Sequence, residues 1–221
     1  MVRWLYRRLF GRCRAVCRSH HTFNIPGTME VYVIRHTAVA VEKGVCYGQS
    51  DVSLANTASQ DMKAVLAKLP DDFDQVYSSP SSRCARLAKQ LTRNSALEIR
   101  PDLMEMNFGD WENCKWNDID QILLGNWMND FVSTKTPSGE SLEMLYERVN
   151  AFIAMLRTKD LNKVAIVTHA GVIRCIWAII LDIPLQHIFK ISVDYGSGIK
   201  INLNKDSALD QIKHFSSDSS S

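Results

Sequence analysis

Two stretches of the chain carry the same pattern. Val31-Tyr32-Val33-Ile34 is an apolar, largely β-branched run of strand length, and it ends abruptly in Arg35-His36-Thr37. Val164-Ala165-Ile166-Val167 is a second such run, ending in Thr168-His169-Ala170-Gly171. Small residues there open an apolar helical pattern from Val172 to Leu181. In open α/β sheets ligands bind outside the carboxyl ends of the strands. Two strands that each deliver a histidine at that end predict one shared site.

Strand and helix patterns alternate between and around these runs. After the first strand comes an irregular stretch, Ala38 to Leu54, long enough beside a candidate site to be functional. Asn56 or Thr57 can cap a helix to about Leu69, with Met62, Val65, Leu66 and Leu69 as its apolar stripe. Phe73 to Tyr77 reads as a short strand. Ser78-Ser79-Pro80 then suits the opening of a helix carrying Arg83, Leu87, Ala88 and Leu91. Leu97 to Arg100 reads as another strand. Residues 102–139 are irregular, with Trp116 and Trp127 expected on short helices, and aromatics this dense either pack or wall an apolar pocket. A long helix is predicted from Leu142 to about Arg157, capped by Ser141. Ile188–Val193 and Gly198–Leu203 read as two strands around a turn at Tyr195-Gly196-Ser197-Gly198. The alternation predicts an α/β fold, a three-layer α/β/α sandwich with a mostly parallel central sheet.

Composition narrows the organisation. With 221 residues, 46% hydrophobic and 23% charged, the chain can bury one sizeable core. The net charge of +2 is unevenly placed, because residues 1–28 hold six arginines and no acid. That leaves the remainder slightly acidic and gives no general case for nucleic-acid binding. The expected division is a basic leader at 1–28, a folded domain at 29–205 and a Ser-rich tail at 206–221. The leader could serve targeting or a membrane surface, but strand residues begin at Met29, and the favoured reading makes Met29 the working start. Six cysteines lack paired metal-ligand spacing, which points to a reducing, cytoplasmic compartment. No apolar run reaches the length of a membrane span.

The chemistry follows from residue types at strand ends. Arg35, His36, Arg83 and His169 all fall at strand ends or helix starts. Arginine offers phosphate oxygens a planar fork and stays charged at working pH. A helix start after Pro80 adds free N–H groups. The natural guest of two arginines and two histidines is a dianion. Histidine can also be a nucleophile, and Glu105 lies in a loop able to supply the acid a leaving oxygen needs.

Four blocks, Arg35-His36-Thr37, Ser78-Ser79-Pro80-x-x-Arg83, Leu103-x-Glu105-x-x-Phe108-Gly109-x-Trp111-Glu112 and Thr168-His169-Ala170-Gly171, resemble the histidine phosphatase, or phosphoglycerate mutase-like, superfamily. Their order and spacing match from Met29 to Leu203. Cys46-Tyr47-Gly48-Gln49-x-Asp51-x-x-Leu54 and Phe108-Gly109-Asp110-Trp111-Glu112 are most similar to its α-ribazole phosphatase branch. The resemblance implies that His36 is the phosphorylated nucleophile, that Arg35, Arg83 and His169 hold the phosphoryl group, and that Glu105 is the acid. It implies Thr37, Tyr47, Gly48, Gln49 and Ala170 as substrate-binding residues, and neither metal nor cofactor. The implied partner is a small phosphate ester, α-ribazole 5′-phosphate of cobalamin synthesis being one candidate. Phosphoglycerate mutase, sugar-phosphate phosphatase and a non-catalytic phospho-ligand binder are the alternatives. Three positions depart from the branch pattern: Asn113 and Ser138 where glycine is expected, and Leu87 where threonine is common. None removes a catalytic group.

Overall fold

The computed structural model describes residues 28–93 and 95–214. The expected leader, Thr28 apart, and the end of the tail lie outside the described residues. Six strands form one sheet: β1 (Met29–Arg35), β2 (Gln75–Ser78), β3 (Ala96–Ile99), β4 (Lys163–Thr168), β5 (Gly198–Leu203) and β6 (Gln211–His214). Their spatial order is β3-β2-β4-β1-β5-β6. β1, β4, β2 and β3 run parallel, whereas β5 and β6 are antiparallel to their neighbours.

Among the described residues, α1 (Ala58–Leu66) and α2 (Ser82–Leu91) cover one face and α4 (Leu142–Arg157) and α5 (Ala170–Leu181) the other, while α3 (Gln121–Asn129) sends Leu124 and Trp127 to an aromatic cluster with Trp111 and Trp116. Alternate residues of the central strands sort into two cores, as the pleat requires. Val31, Val33, Val164 and Ile166 pack with Leu145, Val149, Phe152, Ile173 and Ile176 of α4 and α5. Tyr32, Ile34, Ala165 and Val167 pack with Val65 of α1 and Cys84, Leu87 and Leu91 of α2. Burial on both faces explains why β1 and β4 are apolar at nearly every position. β5 instead alternates, with Ile199, Ile201 and Leu203 buried and Lys200 and Asn202 half-buried. The expected three-layer, mostly parallel sandwich is the observed fold. Leu87 is fully buried among apolar neighbours, a place where threonine would need a partner for its hydroxyl.

Local expectations met mixed outcomes. Ser141 caps α4, its hydroxyl accepting from Met144 N at 3.3 Å. Thr57 precedes α1 but makes no side-chain cap, its hydroxyl donating to Asp61 at 2.9 Å. Ile188–Val193 is not a strand. Leu185–Lys190 is a 3₁₀ turn that buries Ile188 and leaves Phe189 exposed, an alternation that mimics a strand's. Trp127 lies on α3 as expected, but Trp116 sits in a turn. The region expected as tail includes β6, which pairs with β5 through Ile212 opposite Ile201. Among the described residues no helix is long and apolar enough to cross a membrane.

Candidate active site

The register of the sheet brings the two histidines together. Arg35 lies opposite Thr168 at the ends of adjacent parallel strands, so His36 and His169 leave the sheet side by side. β2 ends on the other flank of β4, with Ser78 opposite Val167, and delivers Ser79 and then α2. The imidazoles of His36 and His169 are 5.2 Å apart, edge to face, and both are almost fully buried.

Hydrogen bonds set the tautomer of each ring. His36 Nδ1 is 2.8 Å from the Thr37 carbonyl, which can only accept, so Nδ1 carries the proton and Nε2 keeps its lone pair. Burial lowers the His36 pKa to about 3, the Thr37 bond opposing and the Arg83 and Arg35 charges adding to the fall. The ring is therefore neutral at neutral pH. His169 Nδ1 lies 3.3 Å from an Arg83 nitrogen that can only donate. Its Nε2 then carries the proton and donates to Ser79 Oγ at 2.8 Å. Burial, then the neighbouring His36 and Arg83, holds His169 well below its ordinary value.

Two arginines hold charge against these rings. Arg83 is 1% exposed, yet besides the His169 contact its hydrogen bonds among the described residues go to backbone carbonyls, Ser50 O at 2.8 Å and Gly48 O at 2.6 Å. Arg35 donates to Val193 O at 2.6 Å, and its guanidinium carbon lies over the Tyr195 ring, 3.8 Å from the centroid. Among the described residues, neither has a carboxylate within salt-bridge reach, and both leave a buried Nε without a partner. A buried and a half-buried guanidinium, neither with a counter-charge, favour an anion beside them.

Glu105 arrives from the loop after the 3₁₀ turn Pro101–Leu103. Its Oε2 accepts from Gly171 N, in the first turn of α5, at 3.0 Å. Arg148 of α4 secures that loop by donating to Asp102 O, Met104 O and Glu105 O at 2.6–2.9 Å. Glu140 accepts from Arg148 Nε at 3.0 Å and from Asn107 N at 2.8 Å. The irregular stretch 38–54 is fastened by Glu112, which accepts from Gln49 N at 2.8 Å, Ser50 N, the Ser50 hydroxyl and Phe108 N. Burial would raise the Glu112 carboxyl, but these four donors hold it below its usual range.

Arg35, His36, Arg83, Glu105 and His169 line one cleft of about 370 Å³. Of the five expected substrate-binding residues, Tyr47 alone is on its wall. The other four do not line it. Thr37 is buried behind His36, the Gly48 carbonyl holds Arg83, Gln49 is tied to Glu105 O and Glu112, and Ala170 is the buried first residue of α5. A side chain at position 48 would run into the Met106 carbonyl, which is why glycine stands there. Val45 and Cys46 of the 38–54 stretch and Trp116 of the aromatic region line the cleft, as those two segments were expected to, whereas sequence reasoning missed Arg174 on its wall and the contacts of Tyr195 with Arg35 and of Ser79 with His169. The one signal for Arg174 was its place one turn into the helix that follows His169. Among the described residues, no group of three or more His, Cys, Asp or Glu converges as metal ligands would.

A neutral, oriented imidazole, two guanidinium groups without a counter-charge and a carboxylate thus face one small cleft. The chain belongs to the histidine phosphatase superfamily (branch 1), whose family model matches residues 31–212. It is thereby a phosphoric monoester hydrolase by class. It is 30% identical over 139 residues to the adenosylcobalamin/alpha-ribazole phosphatase of Escherichia coli, covering 60% of this chain and 68% of that one. Phosphoserine phosphatase 1 of Hydrogenobacter thermophilus is 22% identical over 165 residues, covering 72% of this chain and 78% of the relative. Among solved structures, the alpha-ribazole phosphatase of Shigella flexneri superposes with a TM-score of 0.77 at 26% identity, covering 84% of this chain and 95% of that one.

Proposed function

We propose that the protein hydrolyses a small phosphate monoester through a phosphohistidine on His36, with Arg35, Arg83, Glu105 and His169 as its partners. The observation that carries the reading is the His36–Thr37 hydrogen bond in a buried ring, which leaves Nε2 unprotonated beside two guanidinium groups that lack a counter-charge. The Nε2 lone pair attacks phosphorus, a P–N bond forms, and the ester P–O bond breaks. Glu105 gives its proton to the departing alkoxide. Arg35 and Arg83 bind the nonbridging oxygens, whose negative charge also favours protonation of His169. Water then attacks phosphorus, the P–N bond breaks, Glu105 takes back a proton and phosphate leaves.

Among substrates we favour α-ribazole 5′-phosphate, which the names of the Escherichia coli and Shigella flexneri relatives support. Phosphoserine follows from the Hydrogenobacter relative. A screen over α-ribazole 5′-phosphate, phosphoserine, sugar phosphates and phosphoglycerates tests both. Acid-labile, base-stable labelling from the preferred ester should vanish in His36→Ala. Label that survives refutes the nucleophile, and isomerisation of phosphoglycerate outrunning phosphate release refutes the phosphatase reading in favour of a mutase.

A further inference from the structure

We infer that the apolar chamber next to the cleft receives a hydrophobic part of the substrate's alcohol, so that the preferred substrate is an amphiphilic phosphate monoester. The inference rests on the phosphatase reading above and narrows its substrate class. The chamber holds about 470 Å³, and its wall is dominated by Phe108, Trp116, Trp127, Phe131 and Phe189. No charged side chain lines it.

Three observations tie it to the cleft rather than to a separate partner. Phe108 and Trp116 line both spaces, so the chamber and the phosphoryl site share a wall. Polarity is divided between them: Arg35, Arg83 and Arg174 line the cleft, while the chamber is aromatic and aliphatic. Arg174 spans the junction, lining the cleft while its guanidinium carbon sits 5.5 Å from the centroid of the Phe189 ring. A dianionic head on one side of a shared aromatic wall and an apolar body on the other match this division. Phosphoserine and phosphoglycerate, polar throughout, would leave the chamber unused. Met128 is 62% exposed and Phe189 56% exposed, so a bound apolar group would remove their surface from water.

The test compares naphthylethyl phosphate with ethyl phosphate, two alkyl esters that differ chiefly in the apolar body. The expected kcat/KM ratio is ~10-fold or more in favour of the naphthyl ester, a fraction of what burying one large apolar group supplies. Two substitutions probe the wall: Met128→Glu introduces a charge at an exposed position, and Leu124→Trp fills space. Each should lower kcat/KM for the naphthyl ester ~10-fold and leave ethyl phosphate within twofold. Tryptophan fluorescence, titrated with naphthylethylphosphonate and ethylphosphonate, should give the same order of affinities without turnover. If neither ester is hydrolysed, the phosphatase reading fails and the phosphonate affinities still decide the chamber. If both esters are hydrolysed alike and the phosphonates bind alike, the chamber inference fails and the phosphatase reading stands. A dimer that Met128→Glu dissolves, with equal turnover of the two esters, assigns the apolar face to self-association and also overturns the inference.

Discussion

Glu105 accepts a hydrogen bond from the backbone N–H of Gly171 at 3.0 Å, which fixes the proposed acid to the first turn of the helix that follows His169. A side chain at position 171 would run into the same carboxylate, at Oε1. The second half of the Thr168-His169-Ala170-Gly171 block thus places Glu105.

This contact yields a paired prediction. If Glu105 protonates the leaving oxygen, Glu105→Gln should slow an alkyl phosphate roughly 10²-fold or more, and nitrophenyl phosphate much less. Gly171→Ala should show the same asymmetry, because the new methyl displaces the carboxylate. Alanine favours a helix over glycine by about 1 kcal/mol, so this loss should come without a large fall in stability. Single-turnover rates on the two esters decide it. Equal losses on both would make Glu105 electrostatic or structural.

Much of this site was legible because its core residues belong to apolar strands. A run such as Val31–Ile34 states its own burial, and the abrupt Arg35-His36 end marks where the sheet stops. Glu112 was not legible as a clamp, since its donors, Gln49, Ser50 and Phe108, are set by how two irregular segments meet. The 3₁₀ turn at Leu185–Lys190 was mistaken for a strand because a half-buried turn and a strand both alternate polar and apolar positions over a few residues. β6 was hidden in a polar tail because an edge strand needs few apolar side chains, and Ile212 alone marks it.

The Glu112 clamp should act at a distance. Its carboxylate holds Gln49 and Ser50, and the neighbouring carbonyls of Gly48 and Ser50 hold Arg83. Glu112→Gln replaces an acceptor oxygen with a donor against backbone N–H groups, at a cost of about 2 kcal/mol of stability. A positioning role through Arg83 should raise KM for alkyl and aryl esters by a similar factor and spare the ratio between them. A change in that ratio would place Glu112 in the chemistry itself.

The two departures at expected glycines have a physical reason. Asn113 has φ 66° and Ser138 has φ 57°, both in the left-handed region that favours glycine. Asn113 is the easier substitute, and its Nδ2 donates to Ser50 Oγ at 3.0 Å. Ser138 donates to Asp110 Oδ2 at 3.0 Å in an exposed setting, which offsets little of the strain. Ser138→Gly should therefore stabilise by roughly 0.5–1 kcal/mol, and Asn113→Gly by less. Denaturant midpoints at constant m-value would check the order, and a loss in Ser138→Gly would contradict it.

Stability should fall in acid ahead of the carboxylates because of the two buried imidazoles. His36 titrates at about 3 in the fold against an ordinary value of 6.5, with burial as the main cause. Between those values the unfolded chain binds a proton that the folded chain refuses. Stability from this group is therefore fully present above pH 6.5 and is lost progressively as pH falls toward 3. The slope for one such histidine is about 1.4 kcal/mol per pH unit well inside that window. His169, also shifted down, adds to it. Urea unfolding at pH 7, 6, 5 and 4.5 should show this loss beginning near pH 6.5, before Asp and Glu side chains protonate. In His36→Gln, which cannot take up the proton, the slope over the same interval should drop by roughly the share of one histidine. Bound vanadate should act in the opposite direction, because its negative charge favours protonated imidazole and flattens the curve. An unchanged slope in His36→Gln would mean that His36 titrates near its ordinary value, which would remove the argument that it is a neutral nucleophile by burial.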